Sequence, residues 1–273
     1  MTPSRDPLRG QAARRLLREW LRRQLDAGQN AWLDEQLANL AEDPSDGTLA
    51  IAFGMAPRRL GKVDLQFDAA AAQSALEGWD PAGWSVVDAA RILLLTESSL
   101  TNGFAERFRA LCRTADVAEL VSLYRGLPLY PDPAALEPQV GEGLRSNMRS
   151  VFEAIAHRNP YPRLHFDQHR WNHMVLKALF IGSPLAPIQG VDERANPELA
   201  RILCDFAHER WAASRPVPPD VWRCVGPFAE GAVLEDLLRV LQSKDSDERR
   251  AAVAALSASR DPRAKQLLET TLR

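Results

Sequence analysis

SVVDAARILLLTES, residues 85–98, decides how the rest of the chain is read. Its apolar residues are not confined to one stripe, so the segment reads as a helix buried on all sides at the centre of a core. The stretches around it carry helical rather than alternating periodicity. In QAARRLLREWLRRQLDA, residues 11–27, Ala13, Leu16, Leu17, Trp20, Leu21 and Leu25 recur at helical spacing, with Arg14, Arg18 and Arg22 on another face. NAWLDEQLANLAED, residues 30–43, repeats the pattern and stops before Pro44. Residues 48–68 have some strand character, but Gly54, Pro57 and Gly61 break them up, so an irregular or helix-turn connector is expected there. Two further helices are expected around 116–124 and 140–157, on either side of the proline-rich GLPLYPDPAALEP.

The expected fold is therefore all-α, an array of antiparallel helix pairs resembling an α-solenoid, with short corners marked by proline. Within 229–273 an acidic turn precedes an alanine-rich helix (Ala251, Ala252, Ala255, Leu256), and Asp261-Pro262 suits the cap and first position of another. Small residues let neighbouring helices stack closely, and the segment reads as a HEAT-like repeat. The expected division is a helical domain over 1–228 and a HEAT-like extension over 229–273 packed on it.

Composition excludes some roles. Of 273 residues 45% are hydrophobic and 26% charged, as in a soluble globular protein. A net charge of -2 gives no electrostatic reason to expect nucleic acid as a partner. Cys112, Cys204 and Cys224 are widely spaced, without zinc-finger or CxxC spacing, and read as reduced, packed thiols. No segment reads as a secretory signal or approaches the roughly 18 apolar residues of a membrane span, so a cytoplasmic chain is expected. Residues 1–30 carry seven Arg against three acids, a local charge of +4. That first helix reads as a docking helix with a solvated basic side, or as a peripheral anchor on a membrane surface.

All five histidines fall between His157 and His208. In HFDQHRWNHMVLKALFIG, residues 165–182, Asp167 is the expected N-cap. Trp171, Met174, Val175, Ala178 and Leu179 share one face. His165, His169 and His173 share the other with Leu176 and Phe180, so both faces are expected to be buried. His165 and His173 lie about 12 Å apart along a helix axis, too far to share one metal ion. An i,i+4 pair can share one, given a third ligand such as His208, Asp192 or Asp205. HExxH is absent.

The loop GSPLAPIQGVDERAN, residues 182–196, is long enough to suggest function. Its Asn196 and Pro197 open the next helix, where Arg201 and Asp205 form an i,i+4 ion pair. Arg194 beside a helix N-terminus suits an anion, while Asp192, Glu193 and Glu198 oppose one and suit a charge-paired crossover. If the two helices run antiparallel, His208 approaches His169, and Trp171 or Trp211 borders a shared pocket.

DAARILLLTES (88–98), VFEAIAHRNPYP (151–162) and the block from Trp171 to Phe228 resemble the EboA family, over roughly residues 8–228. The resemblance implies a bacterial helical protein associated with moving secondary metabolites or their precursors, and partners among the other Ebo-cluster proteins, some of them membrane-associated. It assigns no catalytic residues. The expected function is a non-enzymatic carrier or adaptor, without cofactor. Its ligand-binding candidates are His169, Trp171, Asn172, His173, Lys177, Asp192, Arg194, Asn196, His208 and Glu209, with Arg210 beside them. The alternative is an acid-base or metal-dependent enzyme in which His169, His173 and His208 hold zinc or another divalent ion.

Overall fold

Residues 85–98 begin their helix with a reciprocal cap. The Ser85 hydroxyl accepts the Asp88 amide, while the Asp88 carboxylate accepts the Ser85 amide and hydroxyl. The structure, a computed structural model, describes residues 7–98 and 103–271, and the side chains of 10–98 and 103–270. The polar leader over 1–6 and the last two residues of the C-terminal segment lie outside the described residues.

The chain is all-α and forms two compact units, Met1–His165 and Phe166–Arg273. The first holds α1 Pro7–Gln24, α2 Ala27–Glu42, α3 Asp46–Leu60, α4 Ala69–Ala75, α5 Val86–Glu97, α6 Phe104–Thr114, α7 Val117–Arg125, α8 Pro133–Arg145, α9 Arg149–Ala156 and α10 Tyr161–His165. The second holds α11 Gln168–Phe180, α12 Pro197–Ala212, α13 Val221–Val225, α14 Ala232–Leu241, α15 Ser246–Ala258 and α16 Pro262–Thr271.

Every residue of α5 from Val86 to Thr96 is buried, because α1, α2, α3 and α7 all pack against it. Each fully buried leucine there contributes about 1.5–3 kcal/mol of transfer free energy. The apolar stripe of α1 faces this core through Ala13, Leu17, Trp20 and Leu21, while Arg22 and Arg23 stay exposed. The stripe is thus covered by protein, as a docking helix requires, and is not open to a lipid surface. Trp20 stacks on Trp79 at 5.4 Å, and Trp79 meets Trp84 edge-on at 6.1 Å.

Two local expectations need correction. Residues 46–60 are one helix, α3, rather than a connector: Ser45 caps it and Leu49, Ala52, Phe53, Ala56 and Leu60 form its buried face. Pro57 in its last turn offers no N–H to the Phe53 carbonyl, which accepts from the Arg91 side chain instead. The stretch 140–157 is divided between α8 and α9, since the Ser146 hydroxyl accepts the Met148 amide and diverts the backbone from helix. α4 and α6 are helices that periodicity alone did not single out.

In the second unit α12 packs on α11 and α13, α13 on α15, α15 on α14, and α16 on α15. The segment after residue 228 lies inside this unit. A Cβ on Gly226 would stand 2.7 Å from the Ala255 Cα and 2.9 Å from its carbonyl oxygen. Glycine is what lets α15 approach this close.

Candidate functional site

Asp167 caps α11 as expected, accepting the Arg170 amide at 2.7 Å. The face carrying Trp171, Met174, Val175, Ala178 and Leu179 is buried. The opposite face is not: His169 and His173 are exposed, and Phe180 is 73% exposed. The two imidazoles meet edge-on with centroids 4.3 Å apart. His165 is not on this helix but ends α10, half-buried, with its pKa lowered by desolvation. The expected three-histidine face is therefore a solvent-facing pair, because among the described residues only one side of α11 is covered by protein.

The crossover 182–196 is tied down by its own polar groups. Asn196 caps α12 by accepting the Leu199 amide at 2.9 Å and donates to the Asn172 Oδ1, also at 2.9 Å. Gln168 donates to the same Asn196 oxygen. The Arg194 guanidinium stacks 4.5 Å from the Trp171 ring, and burial lowers its pKa. Asp192 takes a two-point bond from Arg223 at 2.6 and 2.7 Å, which holds its carboxyl below the usual range. Of the crossover's charges, Asp192 is thus paired with an arginine outside the loop and Arg194 is stacked on an indole. Trp171, Asn172, Arg194 and Asn196 fasten the loop to α11, and Asp192 fastens it to α13.

His208 turns to a different partner. Its Nε2 lies 2.7 Å from the Asp236 carboxylate on α14, and its ring is 5.7 Å from Trp211. Arg239 lies over Trp211 at 4.2 Å. Glu209 is exposed, Arg210 donates to the Pro216 carbonyl, and desolvation lowers the pKa of half-buried Lys177. Among the described residues no three His, Cys, Asp or Glu side chains are arranged to hold a metal ion, so His169, His173 and His208 do not assemble as a ligand set. The three thiols are buried, and desolvation pushes Cys112 and Cys224 up to about 12 and Cys204 to about 11.

The first unit contains a polar constellation that sequence reasoning missed. Asp88 and Arg91 sit one turn apart on α5 and are only 6% and 3% exposed. Arg91 donates through Nε to the Phe53 carbonyl at 3.2 Å, and through its amino groups to Ser122 and Glu119 at 3.4 Å. The Phe53 carbonyl is free to accept because the residue four places on, Pro57, has no N–H. Asp88 receives the Ser122 hydroxyl at 2.7 Å and the Arg125 Nη1 at 2.7 Å. Two cations thus meet two carboxylates across α3, α5 and α7. The signal was present in the sequence: two charges within the apolar run Val86–Leu95 must find partners once that run is buried.

Arg125 carries the network to the surface. It lines a cavity of about 340 Å³ together with Trp84, Val121, Glu153, His157, Arg158 and Asn159. The floor is hydrogen-bonded: Asn159, 3% exposed, donates to the Tyr124 and Ala154 carbonyls at 3.1 Å and accepts the Tyr161 amide at 3.0 Å. Arg158 at the rim has a left-handed backbone, φ +52°, which side-chain-bearing residues rarely adopt. The volume suits a small organic molecule.

A family model described as metabolite traffic protein EboA matches residues 13–226. The chain belongs to the EboA family. The match runs through both compact units and takes in α5, the cavity residues and the crossover, while α14, α15 and α16 lie beyond it. No curated protein and no solved structure matches the chain. The EboA family model thus supplies a process, and the site's chemistry rests on this chain's own residues. Among the described residues no helix is long and apolar enough to cross a membrane.

Proposed function

We propose that this EboA-family chain is a non-enzymatic carrier or adaptor in the traffic or export of a secondary metabolite or its precursor. It holds the molecule in the first unit's cavity and presents it to other Ebo-cluster proteins, some at the membrane, from the cytoplasmic side. The supporting observation is the cavity itself: a small-molecule volume with a hydrogen-bonded floor at Asn159, Trp84 and Val121 in its lining, and one arginine held by Asp88. Such a site favours binding and orientation, since its polar groups are already fixed and lose little freedom on capture. The C-terminal helices, read as HEAT-like, offer the surface for protein partners.

The reading is tested by isolating the chain from cells that carry its gene cluster. Native mass spectrometry is expected to find a stoichiometric small molecule, and affinity capture a cluster-encoded protein. Loss of the small molecule on filling the cavity with Ala154→Trp, in a variant that melts normally, would place it there. A chain recovered with neither molecule nor partner would overturn the reading.

A further inference from the structure

We infer that the cavity beside Trp84 recognises a carboxylate on its ligand, held between Arg125 and Arg158, with an apolar or aromatic body against Val121 and the edge of Trp84. This rests on the carrier reading and adds the chemical class of the cargo.

Three observations carry it. Arg125 commits one amino group to Asp88, and its remaining guanidinium N–H groups make no hydrogen bond among the described residues. A guanidinium fixed on one edge presents the other as a planar fork, which matches a carboxylate. Charge comes next. Of the charged residues that line the cavity, Arg125 is paired with Asp88 and Glu153 with Arg149, each at 2.7 Å. That leaves the single positive charge of Arg158, which matches a monoanion better than a phosphate dianion. The third observation is the backbone. The left-handed φ of Arg158 would suit glycine without strain, yet the position carries a long cationic side chain at the cavity rim. Beside these groups half-buried Val121 supplies an apolar contact, with an edge of Trp84 next to it.

The test is calorimetric titration of the full chain with 2-naphthoate, 2-naphthamide and 2-naphthyl phosphate. Naphthoate is expected to bind at least about 10-fold tighter than the neutral amide, and tighter than the phosphate. Arg158→Gly removes the charge while relaxing the backbone. It is expected to weaken naphthoate about 10-fold with an unchanged or raised melting temperature, and Arg158→Lys to restore part of the affinity. Equal binding of amide and carboxylate, both lost in Ala154→Trp, would overturn the carboxylate inference and leave the carrier reading standing. Naphthoate binding unchanged in Arg158→Gly would also overturn it, as would preference for the phosphate. No binding by any probe would overturn it too, and with no molecule found in the native preparation the carrier reading would fall as well.

Discussion

In the first unit Asp88, Arg91 and Ser122 are buried and bonded to partners on other helices, whereas in the second His169, His173, Asp192 and Arg201 stand in solvent. Both units are helical and rich in charge, but the energetic consequences differ. A buried ion has lost its hydration and depends on its partners, so removing one leaves the others uncompensated. An exposed pair exchanges its partner for water at little cost. The comparison therefore ranks substitutions by burial rather than by the number of bonds broken.

The largest effect is expected from Asp88→Ala. It removes the acceptor of Ser122, Arg125 and the Ser85 cap together, and leaves buried Arg91 beside a positive Arg125. A loss of about 3–5 kcal/mol in denaturant unfolding is expected. Arg201→Ala in the second unit, where both acidic partners are exposed, is expected to cost less than about 1 kcal/mol. Similar costs for the two would break the comparison.

Packing rather than charge limits the second unit. Gly226→Ala sets a methyl group against the Ala255 backbone, which cannot step aside as a flexible side chain would. An expected loss of about 1–3 kcal/mol, seen as a lower midpoint with an unchanged denaturant slope, measures that contact. A neutral outcome would mean that α15 shifts freely on the turn at Gly226.

The two units were unequally legible in the sequence. α5 was readable because eleven consecutive buried residues leave no polar stripe, and α12 because Asn196-Pro197 is a local cap signal. The Asp88–Arg91 network was not, since its partners lie 28 to 38 residues away, and its acceptor at Phe53 depends on a proline that reads locally as a helix breaker. The histidines misled in the opposite direction. Phe180 and Leu176 beside them suggested a second buried face, but periodicity cannot say which faces a neighbour covers, and Phe180 stands in solvent.

A smaller effect separates the units by pH. Hydrogen bonding and charge from Arg223 hold the Asp192 carboxyl below its ordinary value of 3.8. Its folded pKa is depressed, so the stabilisation is complete above the unfolded value and is lost as pH falls through the folded one. Asp192→Asn is expected to flatten acid unfolding in that window while changing stability at pH 7 by less than about 1 kcal/mol, because the pair is exposed. An undiminished acid transition would assign that slope to other carboxylates.

The smallest effect is expected at the histidine pair. His169 and His173 touch one another on an uncovered face, and among the described residues no third ligand completes a metal site with them. The double substitution to alanine is expected to change stability by no more than about 0.5 kcal/mol, as for exposed positions without special contacts. Because alanine favours helix, the sign should be neutral to stabilising. Metabolite export in cells separates two roles that a melting curve cannot. Unchanged export fits a solvated helix face, whereas lost export with unchanged stability would make the imidazoles and neighbouring Phe180 a contact surface for a partner. The second outcome would sharpen the comparison, with cargo chemistry in the buried charges of one unit and partner chemistry in the exposed rings of the other.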